Sequence, residues 1–185
     1  VPIQSWMDAM ADVVAEGLVR SVGVSNYSTS QMKRAYDVLS RRGISLASNQ
    51  VEYSLLERNP EKSGLKALCQ ELGITIIAYS PLAKGALTGK YSPDNLPPGL
   101  RSRHYNKSLF LKIQPVIRAL RDISRAHDGK TPAQISLNWL TCKGAVAIPG
   151  AKNIHQAKEN AGALGWQMSE EEVAILDRVS EEVSN

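Results

Sequence analysis

A regular alternation of helix-patterned and strand-patterned segments, end to end, is what most constrains the fold of this chain. Its clearest strand is Ile74-Thr75-Ile76-Ile77-Ala78-Tyr79, a continuous run rich in β-branched residues. Such a run suits a parallel strand buried on both faces, because a half-solvated strand would alternate apolar with polar residues. Upstream, Trp6, Met10, Val13 and Val14 recur at helical spacing, with Ser5 as the candidate N-cap and Gly17 as the stop. Residues 20–24 read as a short strand. Ser28 and Gln31 form a capping box before a helix stripe of Met32, Ala35, Tyr36 and Leu39. Residues 46–52 read as the next strand. Asn59-Pro60 opens a helix that lines one face with Leu65, Leu68, Cys69 and Leu72 and ends at Gly73.

The second half continues the pattern after a long irregular stretch, residues 80–112, rich in Gly, Pro, Ser and basic residues. Loops of that length in compact domains are usually functional or mobile. A helix carrying Ile113, Ile117 and Leu120 follows. Thr131-Pro132-Ala133-Gln134 then combines an N-cap, a proline at the first turn and a capping-box glutamine, opening a helix through Trp139. Residues 146–148 form a last strand, 153–161 a helix, and Ser169 with Glu172 caps a final amphipathic helix on Val173, Leu176 and Val179. Repeated β-α units of this spacing imply an α/β fold with a parallel sheet. About four units are present. A closed eight-stranded barrel needs roughly 250 residues, so the pattern leaves both a small doubly wound sheet and half of a barrel open.

Composition narrows the function classes. With 43% apolar and 22% charged residues, the 185-residue chain is an ordinary globular protein, with enough length for one substantial core. The net charge of +4 is spread, lysine and arginine alternating with acids, which favours a merely basic protein over a nucleic-acid binder. No apolar run is long enough to span a bilayer, so no membrane partner is expected. Cys69 and Cys142 are widely spaced, with neither a disulfide framework nor a metal-ligand motif, which suits a reducing compartment. The chain begins Val1-Pro2-Ile3-Gln4 and enters a helix within about a turn, as a truncated or processed product would.

In parallel α/β architectures ligands bind at the C-terminal ends of the strands. There stand Ser25-Asn26, then Gln50, Glu52 and Tyr53, then Ser80-Pro81-Leu82-Ala83-Lys84-Gly85, and finally Pro149-Gly150-Ala151-Lys152-Asn153 leading into a helix. Each has an ordinary structural reading. Ser25-Asn26 makes a turn, Gln50 satisfies a strand end, Tyr79 packs with its hydroxyl paired, and Gly85 and Gly89 serve turns. Lys84, Lys90, Arg101, Arg103 and Lys107 then form a solvated loop. The Pro149-Gly150 segment before a helix is the better individual signal. A helix N-terminus offers free N–H groups and a positive dipole end to phosphate, and Lys152 adds charge.

Taken together, Gly23-Val24-Ser25-Asn26, Asn49-Gln50-Val51-Glu52-Tyr53-Ser54, Ala78-Tyr79-Ser80-Pro81-Leu82 and Ile148-Pro149-Gly150-Ala151 resemble the aldo-keto reductase family. So do Thr131-Pro132-Ala133-Gln134, with Leu137, Trp139 and Leu140 after it, and Glu159-Asn160. The order and spacing match over essentially the whole chain. The resemblance implies the C-terminal half of a (β/α)8 TIM barrel, residues 1–185 being part of one NADP-dependent oxidoreductase domain with extra helices. It also implies NADPH as cofactor and a small aldehyde or ketone as substrate. By motif, Ser25, Asn26 and Gln50 hold the nicotinamide carboxamide and Tyr79 stacks on the ring. Ser80, Pro81, Leu82, Gly85 and Leu87 approach the pyrophosphate, with Lys90 nearby. Gly150, Lys152, Gln156, Glu159 and Asn160 surround the adenosine end. Gly150 stands where some members carry a lysine, as in the branch related to potassium-channel β-subunits, which makes Lys152 the candidate for the 2′-phosphate.

The family's catalytic Asp, Tyr, Lys and His belong to the first half of the barrel, and no residue here matches them. His104, His127 and His155 match no catalytic motif and are expected at the surface. The expectation is a fragment that binds NADPH without reductase activity of its own. It acts on carbonyl substrate only with the other half, or else serves as a non-catalytic nucleotide-binding or regulatory module. Exposed sheet edges lead to the further expectation of a homodimer, pairing with an N-terminal half, or poor solubility. The resemblance implies a cytoplasmic protein, with plastid as the alternative.

Overall fold

A computed structural model describes residues 2–99 and 105–184. The chain divides into two compact units, one formed by Val1–Glu52 with Asn59–Tyr79 and the other by Tyr53–Arg58 with Ser80–Asn185.

The first unit is built on three parallel strands, β1 (Val22–Ser25), β2 (Leu46–Glu52) and β3 (Thr75–Tyr79). Gly23 pairs with Ser48, Ser25 with Gln50, and Glu52 with Tyr79. Gly23 has a packing reason, since a Cβ there would run into the Ser48 hydroxyl. Helix α1 (Ile3–Ala15) packs on α2 (Thr29–Ser40), and α2 on β2. The Ser28–Gln31 capping box is present in full. Met32, Ala35, Val38 and Leu39 are buried along α2, Val38 taking the place expected for the half-buried Tyr36.

Other expectations for this unit need correction. Ser5 lies inside α1, whose N-cap is Pro2 with no side-chain cap. The buried face of α1 is Met7 and Ala11, which leaves Trp6 51% and Met10 38% exposed. Both stripes obey helical spacing, and only the position of the neighbouring helix selects between them. The helix expected from Asn59 is two, α3 (Asn59–Lys62) and α4 (Leu65–Leu72), separated where Gly64 takes φ 74°. Leu65 and Cys69 are buried on α4, whereas Leu68 and Leu72 are half-buried.

The second unit is mainly helical around the short strand β4 (Val146–Ala147). Its helices are α5 (Lys107–Lys112), α6 (Gln114–Ala126), α7 (Pro132–Cys142), α8 (Ile154–Ala161) and α9 (Glu170–Ser184). The stretch read as irregular therefore contains α5, capped by Asn106, and a tight helical turn over Ala83–Thr88. Arg101, Arg103 and His104 lie outside the described residues. Helix α7 is the centre of the unit, with Ala133 through Leu140 buried except for the half-buried Gln134 and with α6, α8 and β4 packed on it. Trp139 is fully buried, its ring 5.4 Å edge-on from Tyr53 and its indole N–H donating to Asp177 at 3.0 Å. Asp177 also takes Arg58 (3.3 Å) and Lys143 (2.8 Å), so the 5%-exposed guanidinium is buried with a charge partner, as burial of a cation requires.

His127 departs from the expected surface position. It is half-buried at the end of α6, its Nε2 2.8 Å from Glu172 and its ring 4.7 Å from Trp166. His155 is exposed on α8.

Candidate functional site

Each unit carries one group of the residues singled out by sequence. In the first unit Ser25 ends β1, Gln50 lies near the end of β2 and Tyr79 ends β3, so the parallel register brings them to one end of the strands. The Gln50 carbonyl accepts from the Asn26 N–H at 2.8 Å and the Ser25 hydroxyl at 3.0 Å. Asn26 sits at φ 57°, a left-handed conformation, and its Oδ1 accepts from the Tyr79 hydroxyl at 3.2 Å. Beneath this turn, fully buried Asn49 donates to the Tyr27 carbonyl at 3.0 Å and accepts from the Tyr27 N–H at 3.4 Å. Asn49 fixes the turn. Its place inside a strand-patterned stretch, where a buried amide is costly unless paired, was the signal available in the sequence.

The second unit contains a cleft of about 480 Å³ lined by two segments and one helix. Ser80, Pro81, Leu82, Lys84, Gly85 and Thr88 form one wall. Ile148–Pro149–Gly150–Ala151–Lys152 and the α8 residues Gln156, Glu159 and Asn160 form the other, with Ala133 of α7 between them. Of the other lining residues, Lys84, Pro149 and Ala151 stand in the strand-end segments singled out from the sequence without an assigned contact, Ala133 and Ile148 stand in the quoted motifs, and Thr88 carries no signal in the sequence.

Backbone geometry marks the first wall. Ser80, Ala83, Lys84 and Gly85 take φ values of 50°, 46°, 52° and 101°. Non-glycine residues with positive φ are uncommon, and those held in sparsely populated regions cluster at functional sites. The described chain has only Asn26 and Asp128 besides these three non-glycine examples. The Thr88 hydroxyl donates to the Gly85 carbonyl at 2.7 Å and so pins the bend. The second wall is tied by α8. Asn153 caps that helix, accepting the Gln156 N–H at 2.9 Å, while Gln156 Oε1 accepts the Lys152 N–H at 2.8 Å and Asn160 donates to the Gly150 carbonyl at 3.4 Å.

Two expected residues stand apart. Leu87 is fully buried, a packing residue under the bend, and the Lys90 ammonium lies 5.7 Å over the Tyr91 ring outside the lining. Cys69 and Cys142 are free thiols, and burial pushes Cys69 up to about 11. No group of three or more His, Cys, Asp or Glu among the described residues is gathered for a metal. No described helix is long and apolar enough to cross a membrane.

Chemically, the cleft offers exposed ammonium groups on Lys84 and Lys152, the N-terminus of α8 and the side-chain amides of Gln156 and Asn160. Its volume falls in the ~300–1,000 Å³ range of small-molecule sites. That donor set fits an anionic ligand bearing phosphate and hydroxyl groups.

Comparison with known proteins identifies the family. The sequence model described as "Aldo/keto reductase family" matches residues 1–181. A chloroplastic pyridoxal reductase of Arabidopsis thaliana is 42% identical over 183 residues, 98% of this chain and 50% of that protein. An aldo-keto reductase of Schizosaccharomyces pombe whose name carries NADP(+) is 36% identical, over 91% of this chain and 50% of that protein. The structure of a glycerol dehydrogenase from Gluconobacter oxydans superposes with a TM-score of 0.88 at 27% identity, covering 100% of this chain and 56% of that one. The chain spans about half the length of the curated relatives it matches.

Proposed function

The chain belongs to the aldo/keto reductase family of oxidoreductases, and from that premise we propose that these residues bind NADPH for the reduction of a small carbonyl compound. The observation that carries the reading is the cleft of the second unit, where a strained bend and a helix N-terminus present lysines to one ligand-sized space. The phosphates lie against the Ser80–Gly85 bend and the start of α8. The adenosine end lies against Gln156, Glu159 and Asn160, with Lys152 as partner of the 2′-phosphate. Ser25, Asn26 and Gln50 take the nicotinamide carboxamide, and Tyr79 the ring face, all at the strand ends of the first unit. The NADP(+) in the name of the S. pombe relative supports the cofactor, and the chloroplastic relative supports the plastid of the two expected compartments.

When bound, the cofactor supplies hydride to a carbonyl carbon. This chain's own residues bind and orient it. None of the described side chains is placed in the role of the acid that protonates the carbonyl oxygen. A general acid must lie within hydrogen-bond reach of the group it protonates, and the tyrosine nearest the nicotinamide subsite, Tyr79, already donates to Asn26. The remaining catalytic groups come from the portion of the relatives that the chain does not span.

Nicotinamide fluorescence during titration with NADPH, with NADH as control, tests the reading. Saturable binding of NADPH is expected, weakened about tenfold in Lys152→Ala through loss of one charge-assisted phosphate contact, with NADH binding little changed. The same protein should reduce test aldehydes orders of magnitude more slowly than a complete reductase. Equal binding of NADPH and NADH, unaffected by Lys152→Ala, would remove the 2′-phosphate assignment. Absence of binding would remove the proposal.

A further inference from the structure

Gln134 begins as an ordinary capping residue. It is the fourth residue of Thr131-Pro132-Ala133-Gln134, and its Oε1 accepts the Thr131 N–H at 2.9 Å while its own N–H donates to the Thr131 hydroxyl at 3.2 Å. Those two bonds complete the cap of α7 and engage only the carbonyl end of its side-chain amide. The other end points elsewhere. Nε2 donates at 2.9 Å to the main-chain carbonyl of Glu159, in the last turn of α8, which also accepts the Gly162 N–H at 3.1 Å. Three residues on, Gly162 has space for a hydrogen only on that side, since a Cβ would run into the same Gln134 amide.

Both neighbours of this bridge line the cleft. Ala133 precedes Gln134, and Glu159 and Asn160 belong to the wall. Asn160 and Gln156 in turn hold the Gly150 carbonyl and the Lys152 N–H. A chain of bonds therefore runs from the α7 cap through Gln134 to α8, and from α8 to the loop that bears Lys152. We infer that Gln134 is a positioning residue for nucleotide binding, which seats α8 against α7 without touching the ligand, and that Gly162 is small to admit its amide. The inference rests on the nucleotide reading of the cleft. Its physical basis is preorganisation: an unseated α8 must be ordered when ligand binds, and the apparent affinity falls by the fraction of seated protein.

The capping role and the positioning role separate in Gln134→Glu. Glutamate serves a capping box as well as glutamine, but its carboxylate cannot donate to the Glu159 carbonyl. A residue that only capped α7 would tolerate the change. Gly162→Ala tests the bridge from its other side. The residue has ordinary helical φ, −66°, so alanine suits the backbone and acts chiefly by displacing the Gln134 amide, its other close contact being the Glu159 carbonyl oxygen at 3.3 Å.

Calorimetric titration of the full chain with 2′,5′-ADP, alongside thermal melting, reads the outcome. Amide hydrogen exchange over residues 150–162 of the ligand-free protein provides an independent readout. Both variants should bind 2′,5′-ADP about fivefold to tenfold more weakly, on the scale of one lost hydrogen bond. They should also exchange faster at Gly150–Lys152 and Glu159–Gly162 and keep a native melt. Unchanged affinity in both variants, or unchanged exchange over 150–162, would overturn the inference. Weakening confined to Gln134→Glu would trace to its added charge and also overturn it. Failure of the unmodified chain to bind 2′,5′-ADP would instead bring down the nucleotide reading, and the inference with it.

Discussion

At the scale of single residues, environment separates chemistry from packing. The two cysteines show this most simply. Cys69 is 1% exposed beside the Met32 sulfur at 3.6 Å, and its desolvated thiol resists ionisation, whereas Cys142 is half-buried at the end of α7. The thiolate is the reactive form, so one thiol should react with a disulfide reagent at about pH 8 in the folded protein, and that thiol should be Cys142. Mass spectrometry of the labelled chain decides this, and equal labelling of Cys69 without denaturant would contradict the burial described. Glu172 illustrates the opposite case. Burial alone would raise its carboxyl, but hydrogen bonds from His127, the Ser169 N–H and the Ser169 hydroxyl, with the charge of His127, hold it below the ordinary 4.5. The unfolded chain takes up that proton first on acidification. The stabilisation is therefore complete above 4.5, fades as pH falls below it, and is lost once the native carboxyl is protonated. Thermal melts of the native chain should lose stability over that acid window more steeply than melts of Glu172→Gln, and parallel curves would show that the contact carries no pH dependence.

At the scale of elements, what could be read from the sequence was local. The boxes Ser28–Gln31, Thr131–Gln134 and Ser169–Glu172 all form, because both partners of each lie within one helical turn. The strand over 46–52 and the αL stop at Gly73 likewise follow from short-range rules. Elements went astray where a distant neighbour decides. Trp6 and Met10 satisfy helical periodicity as well as Met7 and Ala11, and packing against α2 chose the second pair. His127 looked like a surface residue because its partners, Trp166 and Glu172, are about forty residues away. The same logic governs the candidate site. Motif order gave the Gly150–Lys152 loop and the strand-end polar residues. Lys84 and Thr88 could not be separated from a loop without the backbone bend that turns them into the cleft. Gln134 was legible as a cap and illegible as a bridge, since only half of its amide obeys a local rule.

At the scale of the whole molecule, the chain shares the fold of its family. It matches about half the length of its relatives, while its described portion superposes on one of them at a TM-score of 0.88. Its α/β pattern is that of the (β/α)8 barrel oxidoreductases. Within it, each unit organises its own polar cluster, one at the ends of three parallel strands and one in a cleft between a strained bend and α8. On the proposed reading, binding and chemistry are separable: these two clusters grip the dinucleotide, while the proton donor comes from outside these residues. The central claim is that the cleft of the second unit receives the adenosine and phosphate portion of NADPH. Backbone amide shifts in a ¹⁵N-labelled sample titrated with 2′,5′-ADP test it most directly. The account predicts that the largest saturable shifts fall on residues 80–88 and 148–160, with the α1–α2 pair silent. Saturable shifts centred on α6 and α9, or none at all, would contradict it.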